Sequence, residues 1–596
     1  MNSARLIRYL QENAFLIALS CALALALVNG VIFAIGGPES FARLNNDDVL
    51  RLMSVRHLIA GQGWFDMTQY RINPPVGLPV HWSRYIDAGI ASIIYPLSLV
   101  LPMQTAEQIG VTVWSTLMVI LGFLIVGFGT RRVFGTAAAC VAVACLMFWP
   151  VFADLYMGPG MIDHHNVQIL MMLTMAFGLV WPDRPRISGV AIGLAAGFSL
   201  AVGLEALLFV LTVGMLVYLS SLTSPSRARL VAFCLSIGMS SVVFWVGQTA
   251  PSALLMPRCD QLALPVVALI GVAAAACLLP LVSRRLHSQP LVYLACTAII
   301  SVLGLGLTWP LIGPCTAGPY AELPLYLQQM MKNDFIEMAP LWELIARNPV
   351  GAIVLVLPVF AALIAGATQH FLDRRNPDIS RERTRALGLL LLLCLAGAGL
   401  VCLQMRMVNL PAAVVPMIAG YVIARRLIAY HAGRDVVQVV YATLMTVVMI
   451  TPTAIAINLR PILEQNKAAS ASEARTTFTS CRSYASLVTL NEAPPGKIIV
   501  SPHFGAQIIW ATHHDTLSAA FHRSAAAFAN SYTPFTLEED DMESYLLATG
   551  ATYLLLCAGG TYDSAFATDL AQGGTANWLR RVPLSNPGQV LFEILR

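Results

Sequence analysis

The stretch GPGMIDHHNVQILMMLTMAFGLV, residues 158–180, sets Asp163, His164, His165 and Asn166 directly before an apolar run that continues to Val180. An acid and two imidazoles at the lip of a greasy segment are costly in or near lipid, so they need a reason to be there. A helix N-cap would account for Asp163 alone. Capping leaves the two histidines and the asparagine at the same depth unexplained. Carboxylate oxygen combined with imidazole nitrogen suits Mn²⁺ or Mg²⁺, and less exclusively Zn²⁺. The stretch therefore predicts a membrane-spanning helix that opens on a metal-assisted site at the membrane surface.

The same alternation of greasy run and polar link fills most of the chain. Of 596 residues, 57% are hydrophobic and 11% charged, with a mean hydropathy of +0.70. A soluble domain carries about twice that charged fraction. Apolar runs of about 20 residues are what a helix needs to cross a bilayer, so the chain reads as a polytopic α-helical membrane protein. About thirteen spans are predicted, over 14–36, 106–129, 134–153, 165–181, 188–204, 206–222, 229–249, 262–282, 289–309, 350–370, 386–404, 409–424 and 436–457. The first reads as a retained span and not as a signal peptide, because no small-residue cleavage site follows it. Residues 88–103, flanked by Pro96 and Pro102, read as re-entrant or interfacial.

Lysine occurs only at 332, 467 and 497; the remaining positive charge is arginine, paired at every second link. The pairs are Arg5 and Arg8, Arg131 and Arg132, Arg184 and Arg186, Arg227 and Arg229, Arg284 and Arg285, the group Arg374 to Arg385, and Arg425 and Arg426. Short positive links stay cytoplasmic, which puts the N-terminus inside and the links carrying Asp47, Asp163 and Glu337 outside. The membrane part is expected to end near residue 457. The tail, 458–596, contains strand-like KIIVSP (497–502) and TYLLLC (552–557) with helix-like stretches at 504–511 and 538–548, and so reads as a small outside α/β domain. Cysteines sit mostly singly in spans. Cys481 and Cys557 in the tail, and Cys259 with Cys315 in other outer links, could form disulfides in an oxidising compartment. No CxxC, phosphate loop or internal repeat is present, and no nucleic-acid partner is expected.

Three outer segments, 38–105, 154–164 and 310–349, carry the candidate chemistry. The first begins Asn45-Asn46-Asp47-Asp48 and reads as short amphipathic helices broken by Pro74, Pro75 and Pro79. Acid in a first helical turn suits the dipole, but acids from separate segments are also what a divalent ion needs. Its arginines, at 43, 51, 56, 71 and 84, could face a phosphate-bearing substrate. Glu337 lies in FIEM, before a span. Glu205 sits between two apolar runs with no basic neighbour in sequence and requires a partner from elsewhere. Arg406 in QMRMVN is either a snorkelling anchor or a phosphate clamp. In the tail, His503, His513, His514, His522 and Arg523 gather within about twenty residues in no known zinc spacing. Surface positions explain them most simply, and His522 with Arg523 are the candidates for facing substrate.

These motifs resemble the glycosyltransferase-C superfamily, multispanning enzymes that take sugars from polyprenyl-phosphate carriers, and above all the catalytic subunits of oligosaccharyltransferases. DDVLRLMSVRHLIAGQGWF (47–65) is similar to the family's acidic motif ahead of a first-loop helix. GMIDHHNVQIL (160–170) is similar to the archaeal form of its second motif, and FIEM (335–338) to the end of a later loop motif. The resemblance implies a metal held by Asp47, Asp163 and His165, with Asp48 competing for the role of Asp47 and His164 adjacent. It further implies that Glu337 matches the later acid and Arg406 the arginine that meets the carrier phosphate. It departs from the family in the tail: where oligosaccharyltransferases read the acceptor sequon with Trp-Trp-Asp-Tyr-Gly, this chain has Ser501-Pro502-His503-Phe504-Gly505, and only the glycine survives.

The expectation is thus an inverting glycosyltransferase of the bacterial inner membrane, with its active site and tail on the periplasmic side. Its donor would be a sugar on a polyprenyl phosphate or diphosphate, its acceptor a glycan, lipid or protein group, and its cofactor a divalent cation, Mg²⁺ or Mn²⁺. Asp48 or Glu337 would orient or deprotonate the acceptor, and His164, Glu205, Arg406, His522 and Arg523 would line the substrate. Two other readings predict different structures. A transporter or lipid-linked glycan flippase, using Asp163, His164 and His165 as a proton relay, requires acids at mid-span and paired broken helices. A non-catalytic scaffold does not require the first loop and the Asp-His-His segment to meet.

Overall fold

The computed structural model describes residues 3–222, 227–318, 320, 323–463 and 480–596. Among them, nine helices are long and apolar enough to cross a membrane, from Asn13–Ile35 to Arg381–Leu403. Two bent pairs, Met405–Ala412 with Val415–Gly433 and Val436–Ile450 with Pro452–Leu463, pass the same test together. Two shorter apolar helices, Thr136–Phe148 and His165–Val180, fall on the remaining expected spans. The chain is a polytopic α-helical membrane protein.

Three of the expected spans are broken: 409–424 divides between Ala412 and Val415 with a 50° bend, and two others divide at proline. The run 134–153 stops at Phe148, since Pro150 disfavours a helical residue before it, and resumes as a π-helical turn at Val151–Tyr156. The run 436–457 breaks at Thr451 before Pro452, and its two halves meet at 83°. The segment read as interfacial forms one helix, Arg84–Ser98, that packs on the first-loop helix Asn46–Ile59 and on Met103–Phe134.

That first-loop helix corrects one expectation. It is not amphipathic: Asp48 through Val55 are all buried. It is covered on one side by Arg84–Ser98 and on another by the helix Gly505–Ala511 of the C-terminal domain, so only its two ends stay partly exposed. Asn45 caps it by accepting the backbone N–H of Asp48 at 2.8 Å.

The C-terminal domain holds a five-stranded mixed sheet in the order β4–β3–β5–β7–β6, where β3 is Lys497–Ile499, β4 Asp515–Thr516, β5 Tyr553–Cys557, β6 Leu579–Val582 and β7 Gln589–Ile594. A small hairpin, β1 (Thr68–Gln69) with β2 (Leu78–Pro79), lies in the first loop. β3 runs parallel to both neighbours and β7 antiparallel to both of its own. All five residues of β5 are buried, as a strand covered on both faces requires. Both anticipated cysteine pairs are bonded, Cys481 to Cys557 and Cys259 to Cys315.

The domain is fastened to the first loop through its backbone. Asn46 accepts the Ala506 N–H at 3.2 Å, and the Gln507 amide donates to the Leu44 carbonyl at 3.2 Å. Arg71 donates to the carbonyls of Ile509, Thr512 and His514 at 2.6–2.8 Å. This is the last turn of Gly505–Ala511 and the loop after it, where orphan carbonyls await a donor.

Candidate active site

The GPGM turn delivers the Asp-His-His segment. Gly160 has φ +83°, and a Cβ there would come within 2.3 Å of the Phe33 ring, so only glycine makes this turn. Two and three residues later, the Oδ1 of Asp48 accepts the backbone N–H of Ile162 at 2.6 Å and that of Asp163 at 2.8 Å. The first loop and the second motif therefore meet directly, which the scaffold reading did not require.

Asp163 stands at the centre of a buried charge network. Its Oδ1 accepts from His164 Nδ1 at 2.7 Å and from Arg51 at 3.3 Å, and its Oδ2 lies 3.6 Å from His165 Nε2. The other nitrogen of His164 lies 3.2 Å from Glu205. With a carboxylate on each side, both ring nitrogens of His164 donate. Burial opposes its charge, but Asp163 and Glu205 raise it to about 10. His164 is an imidazolium that bridges two acids, and in that state it has no lone pair for a metal.

Glu205 thus has the partners its sequence context demanded. It also accepts from Gln168 at 3.1 Å and stands 3.7 Å from Arg406. His165 opens its helix, Glu205 sits just before Leu207–Leu222, and Arg406 follows Arg381–Leu403, so the charged groups cluster at helix ends. A relay at mid-span would have placed them elsewhere.

Asp47, His164, Glu205, Glu337 and Arg406 line one cavity of about 690 Å³, together with apolar side chains such as Leu208, Phe335 and Met407. Burial first, then Asp163 and Glu337, hold the Asp47 carboxyl above its ordinary range. Burial and Asp163 push Asp48 up to about 8. Asp163 is the exception: burial would raise it, but His164, His165 and Arg51 hold it well below the usual range. Three acids crowded around one point repel one another, which is the field a cation would relieve.

The donor atoms fit such a cation in part. Asp163 and His165 offer ligand atoms within 4.8 Å of each other, with the doubly bonded His164 beside them. The Oδ2 of Asp48 and the Nδ1 of His165 are buried with no hydrogen-bond partner among the described residues. Asp47 faces the same cavity and is electrostatically linked to Asp163. Hard carboxylate oxygens with one imidazole are the donors Mg²⁺ and Mn²⁺ take.

Several expectations change. None of the five first-loop arginines lines the cavity. Arg43 pairs with Glu39, Arg51 with Asp87 and Asp163, Arg56 with Glu107, and Arg84 with Asp87, while Arg71 holds the C-terminal domain. Buried arginine is tolerated only when so paired. His513 and His514 bond backbone carbonyls at 3.0 and 2.8 Å, and His514 is fully buried, which corrects its reading as a surface residue. Pro502 and His503 line the cavity where the sequon-reading motif would lie. His522 lines it too, but Arg523 is bidentate on Asp260 at 2.7 Å.

Sequence reasoning missed His81, Asp87 and Asp260, and it named Arg51 without its partners Asp87 and Asp163. Asp87 carried a readable signal, three residues after Arg84 on one helix face. Asp260 could have been reached from Cys259, once that cysteine was paired with Cys315.

No protein-family model matches the chain, and no curated protein sequence matches it. Solved structures do. The archaeal oligosaccharyltransferase AglB from Archaeoglobus fulgidus, in complex with an inhibitory peptide and a dolichol-phosphate, is similar at TM-score 0.60 and 13% identity over 92% of this chain and 70% of that one. The same organism's enzyme tethered to an acceptor peptide containing an NVT sequon is similar at TM-score 0.57 and 14% identity, over 93% and 70%. Its complex with Zn and sulfate is similar at TM-score 0.54 and 15% identity, over 90% and 68%. At these identities the likeness establishes the fold, and the chain has the glycosyltransferase-C fold that its motifs suggested.

Proposed function

We propose that this multi-pass membrane protein of glycosyltransferase-C fold is an inverting glycosyltransferase that moves a sugar from a polyprenyl phosphate or diphosphate to a periplasmic acceptor. The observation that carries the reading is the convergence of Asp47, His164, Glu337 and Arg406, from four separate links, on one cavity with apolar walls, with Asp163 bonded to His164 just behind its wall. Residues 1–457 are the membrane catalytic part in this reading, and 458–596 a domain on the periplasmic side of a bacterial inner membrane. Support for the side comes from charge and redox. The paired arginines occupy the links opposite those of the site, and both disulfides belong to the site's own side.

Asp47, Asp163 and His165 would hold a divalent cation, with the unpartnered oxygen of Asp48 close by. Such a cation supplies Lewis-acid relief of charge on the departing phosphate oxygens. Arg406 presents a guanidinium fork to the same phosphate, held by Glu205 behind it. Glu205 in turn is fixed by His164 and Gln168, so the fork is aimed before substrate arrives. Glu337 faces the cavity from the opposite link and would orient or deprotonate the acceptor hydroxyl or amine. Because the leaving group departs from an oxocarbenium-like carbon, phosphate stabilisation lowers the barrier most.

The archaeal likeness is to proteins described with dolichol-phosphate and with Zn and sulfate, ligands of the kind this site would take. The acceptor is a different matter, since Ser501–Gly505 lacks the sequon-reading side chains. A lipid, a glycan or another protein group is favoured over a sequon asparagine.

The test is transfer of labelled sugar from a lipid carrier in proteoliposomes. Asp163→Asn should abolish it with the protein still folded, and undiminished transfer would reject the reading.

A further inference from the structure

A second cluster of ligating side chains lies on the wall of the same cavity, away from the acids. His81 comes from the first loop, Asp260 from the link between Ala228–Gln248 and Leu264–Leu278, and His522 from the C-terminal domain. Each offers one atom, and the three atoms lie within 4.8 Å of one another. The His81 and His522 rings stand 4.8 Å apart by centroid, and His522 Nε2 is 3.0 Å from Asp260 Oδ2. No hydrogen bond engages the ring nitrogens of His81 among the described residues.

We propose that His81, Asp260 and His522 form a second divalent-cation site, of the zinc class, that fastens the first loop, an inter-span link and the C-terminal domain to one another. Two imidazoles and one carboxylate are a donor set zinc prefers over magnesium, with a fourth position left to water or ligand. Ligands about 2.0–2.2 Å from zinc stand roughly 3.2–3.6 Å apart. His522 and Asp260, at 3.0 Å, stand slightly closer than that, and His81 lies within 4.8 Å, so small side-chain movements would bring the three to that spacing.

The surroundings suit the role. Asp260 is flanked by Cys259, whose disulfide to Cys315 fixes the link. Arg523 grips both oxygens of Asp260 at 2.7 Å and also meets Gln261 at 2.8 Å, which orients the carboxylate as outer partners of metal ligands do. Moving the His522 contact onto a metal frees one lone pair of Oδ2, so Asp260 can keep Arg523 and still ligate. The nearby guanidinium opposes a dication and favours moderate affinity. This site stands apart from glycosyl transfer, and its readout is metal content.

The purified full-length chain in detergent is stripped with EDTA, dialysed against zinc chloride and analysed by mass spectrometry for bound zinc, with thermal unfolding in parallel. His522→Ala and His81→Asn should each hold one zinc fewer than wild type and lose the zinc-dependent rise in Tm. The Asp163→Asn/His165→Ala double variant should retain that zinc. X-ray absorption at the zinc edge of the double variant reads the site with its ligands intact, and two imidazoles are expected in the shell. Equal zinc in His81→Asn, His522→Ala and wild type, or a shell without imidazole, would overturn the proposal.

Discussion

One carboxylate oxygen of Asp48 accepts the backbone N–H of Asp163 at 2.8 Å and that of Ile162 beside it, joining the two acidic motifs of this site through the main chain. The other oxygen is buried and makes no hydrogen bond among the described residues. Adjacent acids therefore divide the work: Asp48 shapes the turn, while Asp47 faces the cavity.

That division predicts opposite outcomes for isosteric substitutions. Asp48→Asn keeps an acceptor for the two N–H groups and removes a charge that Asp163 repels, so transfer should persist within about tenfold of wild type. Asp48→Ala strands two buried donors and should destabilise the protein by about 1–3 kcal/mol for each, read as a lower Tm. Asp47→Asn should cost about 100-fold or more in turnover without a fall in Tm. Equal losses from Asp47→Asn and Asp48→Asn would refute the division.

Metal removal tests the acid cluster as a whole. Dialysis against EDTA should abolish transfer, and Mg²⁺ or Mn²⁺ should restore it. Asp163→Asn should not recover at any cation concentration, since the variant loses a ligand and not merely affinity. Full transfer in EDTA would leave the acids as bases or scaffold only.

Arg406 distinguishes a bidentate phosphate clamp from a point charge. Arg406→Lys keeps the charge but not the fork, and should lower turnover by about 10–100-fold, while Arg406→Gln should lower it further. Measuring carrier binding separately decides the cause. A snorkelling anchor would leave both quantities near wild type with either residue.

How far the sequence reached depends on what each feature rests on. Apolar runs and paired arginines are one-dimensional signals, and the presence and order of the spans followed from them, while ends such as Gly433, expected near 424, did not. Breaks at Pro150 and Pro452, and a bend between Ala412 and Val415, altered their shape. The strands KIIV and TYLLLC were legible because a strand buried on both faces reads as a continuous apolar run. By contrast, the amphipathic expectation for Asn46–Ile59 failed because its second cover, Gly505–Ala511, arrives from more than 400 residues away in the chain. The first-loop arginines misled for a similar reason. Their partners Asp87, Glu107 and Asp163 are set by tertiary contact, and a sequence displays a charge without showing what neutralises it. Glu205 shows the reverse case: the demand for a partner was readable, and His164 and Arg406 as the answer were not.

Arg523 offers a measure of how firmly the C-terminal domain is held to the membrane part. Its guanidinium makes two bonds at 2.7 Å to Asp260, both side chains are 13% exposed, and the pair spans more than 260 residues of chain. Charge-assisted hydrogen bonds of this kind contribute about 1.5–3 kcal/mol each when shielded from water. Arg523→Ala also leaves Asp260 without its main counter-charge, with the imidazoles of His522 and His81 beside it. The expected result is a Tm lowered by several degrees and faster proteolysis between the two parts. Asp260→Asn should be milder, because an amide oxygen still accepts one of the two donors. A double variant, Arg523→Ala with Asp260→Ala, should recover part of the loss, since no charge is then stranded. If Arg523→Ala leaves Tm and proteolysis unchanged but weakens carrier binding, the arginine serves substrate, as its sequence position first suggested, and the clamp is elsewhere.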